Sequence, residues 1–259
     1  MFSQCRKSDR NNESINPAPE ENAVAASIVN DLFRFIHKSS IQDTIVNNDS
    51  IQAANDGCLL YKNYLTTAGG FPISMVLNFG DGATECDMDG RIRNGKLRMN
   101  YDGLYNSYGT VINIEFIGFY VDSFQLSGAI SITNRGLNSS DQPLFKVSAT
   151  DLEITRNDYT TFWNANRTYT WVEGYNSGVI SDDVFEVIGN SNGVTSKGNR
   201  YTSEIINELV TDYTCNWFVS GQEELVPENL TTRDISYGEN CSANVSVGYY
   251  NSEYEFTLE

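Results

Sequence analysis

Gly189-Asn190-Ser191-Asn192-Gly193 has the Gly-x-Ser-x-Gly spacing of a nucleophile elbow, in which a serine stands on a sharp strand-to-helix turn. Such a serine needs a base, normally a histidine later in the chain. The one histidine, His37, lies far upstream. A polar hairpin loop explains the same glycines and asparagines by their tolerance of positive φ. A single histidine also removes His-rich metal centres and most His-based catalysis.

Carboxylates offer two further chemistries. Glu85, Asp87 and Asp89, followed by Gly90, copy the start of an EF-hand loop, so calcium is the one cofactor the sequence points to. The bidentate glutamate due at the loop's end is replaced by Lys96, and a solvated turn holding Cys86 is the plainer reading. Asp182-Asp183 and Glu223-Glu224 are acidic doublets of the kind glycoside hydrolysis uses. Neighbours on a strand face opposite ways, so neither doublet is itself a catalytic pair. Trp163, Tyr169, Trp171 and Trp217, with Tyr175, Tyr249 and Tyr250, are candidates for a sugar-stacking platform or for ordinary sheet packing. Arg91, Arg93, Lys96 and Arg98 form a basic spot whose expected partners are cross-strand carboxylates.

The five cysteines divide into one and four. Cys5 is followed by polar residues to about Pro19, as in a bacterial lipoprotein just after its lipobox. Only four residues precede it, and Gln4 is larger than the usual small residue there, so a lipid anchor expects an apolar segment upstream, and the alternative is that Cys5 is a plain surface thiol. The others are spaced 86 − 58 = 28 and 241 − 215 = 26 residues apart. The simple pairing is Cys58 with Cys86 and Cys215 with Cys241, although four cysteines allow three pairings. In a reducing compartment they would be small buried hydrophobes.

The elements that must carry these residues follow from periodicity. Residues 1–19 have no apolar face and read as a tether. Residues 20–46 hold a helix in which Val24, Ile28, Leu32 and Phe35 or Ile36 form one apolar stripe. Glu20 and Glu21 suit its first turn, and Arg34, His37 and Lys38 its last. From residue 57 to 259 the pattern alternates, giving about a dozen short strands with turn signals between them. Asn94-Gly95, flanked by Arg91–Arg93 and Lys96–Tyr101, is the strongest hairpin signal. Leu77–Asp81 before Cys86 and Ile235–Glu239 before Cys241 echo one another, consistent with two pseudo-repeated halves. The expected fold is mainly β: an antiparallel meander forming a sandwich or barrel-like domain, preceded by one N-terminal amphipathic helix.

Composition bounds the function. The 259 residues carry 17 basic and 34 acidic side chains, a net charge of −17, which argues against a nucleic-acid partner. No stretch has the apolar length of a membrane helix. A transmembrane β-barrel would need a continuous apolar outer band, which polar residues on both alternating faces interrupt.

Several segments together resemble a family of β-rich lipoproteins common in Bacteroidota. They are Phe71–Ile73, Leu77–Gly80, Cys86, Asp89–Leu97, Phe119–Asp122, Leu126–Gly128 and Ile132–Asn134 in the first half. Thr168–Trp171, Glu173–Tyr175, Asp182–Phe185, Cys215–Gly221 and Tyr237–Cys241 follow in the second. The resemblance runs from about residue 22 onward. It implies a lipid anchor at Cys5 and a β-rich body, and it brings no catalytic residue. The expectation is an extracytoplasmic lipoprotein on the outer membrane or cell surface, touching the membrane through its anchor alone. Its role would be a non-catalytic binding or envelope-structural module with a glycan or an envelope protein as partner. A polysaccharide-active enzyme using Asp and Glu is the alternative.

Overall fold

The computed structural model describes residues 16–47, 57–67, 70–82, 84–157 and 159–258. Cys5 and most of the expected tether lie outside them. One long helix, α1 (Ala18–Ile41), precedes thirteen strands among the described residues. These are β1 (Tyr61–Thr67), β2 (Gly70–Gly80), β3 (Arg93–Tyr101), β4 (Val111–Val121), β5 (Phe124–Leu137), β6 (Pro143–Arg156) and β7 (Tyr159–Glu173). After a 3-10 turn at Ile180–Asp182 come β8 (Val184–Val194), β9 (Arg200–Asp212), β10 (Ser220–Pro227), β11 (Arg233–Ser236), β12 (Asn244–Tyr249) and β13 (Ser252–Thr257). Each strand pairs antiparallel with its sequence neighbours, in one sheet ordered β1 to β13. No hydrogen-bonded pairing joins β1 to β13, so the sheet is a meander that does not close.

Along β7 every second residue points inward: Thr161, Trp163, Ala165, Arg167, Tyr169 and Trp171 are buried. The inner face packs on α1. Asn22 accepts a hydrogen bond from Trp163 Nε1 on β7 at 2.9 Å and one from Ser191 Oγ on β8 at 2.9 Å. Asp31 faces Arg93 on β3, and Phe35 faces Phe79 on β2. At about 100° per residue, Asn22 and Asp31 lie on opposite sides of the helix. The sheet therefore wraps α1, and β7, β8 and β3 meet it from different directions.

This widens the expected apolar stripe into a whole buried circumference. Ala23, Ala25 and Ala26 let strands approach closely, while Glu21, Asn22, Asn30, Asp31, Arg34, His37 and Ser40 are all buried. Arg34 and His37, expected at a solvated helix end, are enclosed. Arg34 donates to the Cys215 carbonyl at 2.6 Å. Lys38 alone is the basic residue of the last turn.

Two turn expectations are corrected in the same physical terms. Asn94-Gly95 is not a hairpin turn. Both residues lie inside β3, where the register with β4 slips between Asn94 and Lys96. Gly95 has φ +77°, and a Cβ there would sit 2.0 Å from the Gly118 carbonyl oxygen. The positive φ serves a β-bulge rather than a turn. Likewise Gly189–Gly193 is no loop but part of β8, bulged between Val187 and Asn190.

Both disulfides form with the simple pairing, Cys58–Cys86 and Cys215–Cys241. They flank a seam where early and late segments meet. Asn216 Nδ2 donates to the Asp89 carbonyl at 2.7 Å, and the Arg91 guanidinium lies 4.8 Å over the Trp217 ring. Each bridge closes a loop of 26 to 28 residues, which chain entropy values at about 3–4 kcal/mol. Replacing either pair by serines should therefore cost about 2–4 kcal/mol in urea unfolding, an effect that reductant reproduces on the parent protein. An unchanged midpoint would show that the seam contributes its order without the bridge.

Candidate functional site

Around the C-terminal end of α1 the sheet leaves a cavity of about 570 Å³. Five parts of the chain build it. Ile41 and Asn47 come from the helix end and the turn after it, and Tyr105, Asn106 and Tyr108 from the β3–β4 connection. Asn134, Gly136 and Leu137 on β5 meet Pro143 and Phe145 on β6. Trp171 on β7, the following turn from Gly174 to Val179, and Asp183 complete the wall. Its size and largely apolar, aromatic lining with a few polar groups are those of a small-molecule site.

The polar groups are held from behind. Asn134 Nδ2 donates to the Tyr105 carbonyl at 2.9 Å, and the Tyr105 backbone N–H donates to the Val46 carbonyl at 2.8 Å. The Tyr105 hydroxyl meets His37 Nδ1 at 2.5 Å. His37 is packed among rings: Trp171 at 4.7 Å, Phe185 at 5.1 Å and Phe145 at 5.6 Å between centroids. Burial lowers its pKa to about 3, so the imidazole is neutral. Its Nε2 stands 3.9 Å from Asp183 Oδ2.

Asp183 is 1% exposed, and neither of its carboxylate oxygens has a hydrogen-bond partner among the described residues. The Trp171 indole N–H faces the carboxylate, close enough to favour its charged form but outside full hydrogen-bond geometry. Burial pushes the Asp183 carboxyl up to about 7; Trp171 opposes the shift and Asp182 adds to it. Gly174 matters here, because a Cβ on it would lie 2.4 Å from Asp183 Oδ1.

The other residues singled out from sequence are placed elsewhere. Trp163 and Tyr169 are wholly buried against α1, and Trp217 lies under Arg91 at the seam. Of the four aromatic candidates only Trp171 reaches the cavity, where Tyr175 joins it. Ser191 is buried and donates to Asn22 Oδ1, so the serine of the elbow pattern is a structural donor to the helix. Glu223 points inward and Glu224 outward, on opposite faces of β10 as expected.

Glu85, Asp87 and Asp89 do not converge. Asp87 accepts from the Gly57 N–H, and Asp89 is bound to Arg93, whose Nη2 also holds Asp31 at 2.6 Å. Among the described residues no group of three acidic, His or Cys side chains is arranged to hold a metal ion. Burial works against ionisation of Asp89, yet hydrogen bonds and charge from Arg93 hold its carboxyl at about 2. The basic spot is taken up in the same way: Arg91 pairs with Asp122 at 3.0 Å and Arg98 with Glu115 at 2.9 Å.

Sequence reasoning missed Tyr105, Tyr108, Phe145 and Asn134 as cavity residues. One signal was present: Tyr101-Asp-Gly-Leu-Tyr-Asn-Ser-Tyr108 puts three tyrosines in a turn-rich segment, where aromatic side chains have little core to fill. Comparison of the chain with protein-family models, with curated proteins and with solved structures returns no match.

Proposed function

We propose that the protein is an extracytoplasmic, non-catalytic binding module whose ligand enters the cavity at the C-terminal end of α1. One observation carries the reading: an aromatic-walled recess ends on a buried carboxylate with no partner of its own. Aromatic faces flanked by amides and a carboxylate suit a saccharide unit, which has apolar CH faces and hydroxyl edges. Two disulfides support an oxidising compartment. The polar stretch after Cys5 supports attachment by a lipid at that residue.

The enzymatic alternative has less support at this site. Glycoside hydrolysis uses two carboxyls facing across a cleft, and Asp183 is the single carboxylate among the described residues lining the cavity. The test is a panel of mono- and oligosaccharides read by titration calorimetry and by assay for released reducing ends. Binding without release is expected. Tyr108→Ala, at an exposed rim position, should weaken that binding about 5- to 30-fold, a loss of about 1–2 kcal/mol for an aromatic contact, with unfolding unchanged. Equal affinity in the variant would move the site elsewhere, and catalytic release of sugar would overturn the non-catalytic reading.

A further inference from the structure

The inner end of the cavity is short of positive charge. Both oxygens of Asp183 and the side-chain oxygen of Asn47 are buried acceptors with no hydrogen-bond donor among the described residues. Asp31, Asp89 and Glu223 each hold an arginine. Asp183 faces the neutral His37 at 3.9 Å and the uncharged Trp171 indole N–H, and no cation among the described residues is paired with it. A buried carboxylate without a counter-charge is costly, and a ligand that brings the missing charge removes that cost.

The walls suit the same visitor. Trp171 and Tyr175 stand edge to face, 6.3 Å between ring centroids, and Tyr105 stacks on Phe145 at 5.4 Å. Ring faces attract cations, most strongly where water is excluded. The net charge of −17 raises the local concentration of cations around the whole molecule. Resting on the reading of this cavity as the binding site, we propose that its ligand carries a protonated amine that passes between these rings and docks on Asp183 and Asn47. An ammonium offers three donors and no acceptor, which matches the acceptor oxygens that Asp183 and Asn47 present.

The test uses the intact protein and a matched pair of probes, cyclohexylammonium and cyclohexanol. Binding is read from the Trp171 indole N–H signal in a nitrogen–proton correlation spectrum, assigned by its loss in Trp171→Phe. At pH 8 the ammonium should bind at least about 10-fold more tightly than the alcohol. Asp183→Asn should erase that preference while keeping the fold, because it removes an uncompensated charge. Lowering the pH to 5.5 should weaken ammonium binding about 10-fold or more. The carboxyl, raised to about 7, is then protonated, while an alkylammonium stays charged. The groups facing Asp183 cannot supply the same change: His37 on α1 stays neutral, and Trp171, Tyr105 and Tyr213 do not titrate in this range. Asp182 shares the carboxylate's own turn, and its presence in Asp183→Asn controls for it. Equal binding of the alcohol, or a preference that survives Asp183→Asn, overturns the amine assignment and leaves the cavity as a site. No response of Trp171 to either probe overturns both.

Discussion

Glu223→Ala is expected to cost about 3–5 kcal/mol of stability, the range for breaking a buried ion pair from one side. Glu223 is buried on the inner face of β10 and accepts from four side chains. Arg167 Nη2, Asn22 Nδ2 and Ser203 Oγ each reach it at 2.8 Å, and the Tyr237 hydroxyl at 3.2 Å. Removing it strands the Arg167 guanidinium, itself buried, without its carboxylate, leaving the Trp163 ring 5.3 Å away and neutral tyrosines around it. It also frees the Asn22 amide, and so loosens the N-terminal half of α1 from β10. Chemical denaturation with linear extrapolation measures the cost. The double variant Glu223→Met with Arg167→Met should recover most of it, because an apolar pair needs no charge compensation. A loss under 1 kcal/mol in the single variant would mean that water reaches Arg167, contrary to the enclosed interior described above.

Phe33→Ala is the second large effect, also about 3–5 kcal/mol for a buried aromatic truncated in a close-packed core. Phe33 stacks on Tyr169 at 4.1 Å, meets Phe185 edge to face at 5.2 Å and lies 6.0 Å from Phe145. Those partners sit on β7, β8 and β6, so one ring is shared by three strands. Phe33→Leu should lose less, since it keeps most of the volume. Thermal and denaturant unfolding would read both. A cost near 1 kcal/mol for Phe33→Ala would fit a helix lying beside the sheet and would contradict one enclosed by it.

These residues show what the sequence reveals and what it hides. The strands are legible because one face is buried, so β5, β6, β7 and β9 declare themselves by alternation alone. The disulfide pairing is legible because the cysteines are spaced in two similar local loops. The Gly95 bulge is not. Asn-Gly states that positive φ is needed, and a turn and a bulge need it equally; only the partner strand β4 decides. The inner polar side of α1 is hidden for a different reason. Apolar periodicity counts a buried Asn22, Asp31 or His37 as solvent-facing, and their partners lie 60 to 200 residues away. The cavity is assembled from connections scattered along the chain, so no local pattern marks it. Of its lining, the sequence marks only Trp171 and Tyr175, as stacking aromatics, and Asp183, as half of an acidic doublet.

The position of α1 also orders events in time. Every strand pairs with a sequence neighbour, so hairpins can form as the chain appears. The helix cannot settle this way, since Asn22 waits for Glu223, 201 residues later. A chain delivered N-terminus first therefore leaves the Asn22 end of its central element incompletely held until β10 has arrived, although Phe35 and Asp31 can meet β2 and β3 much earlier. Growth is local and cheap in loop-closure entropy, whereas completion is a single late capture across nearly the whole length. Until that capture the inner face of the sheet stays open beside the N-terminal half of α1, whereas the cavity at the other end of the helix is lined by residues between Ile41 and Asp183. The lining of the ligand cavity is thus complete once the turn after β7 has appeared, and the late capture of α1 by β10 is a separate event.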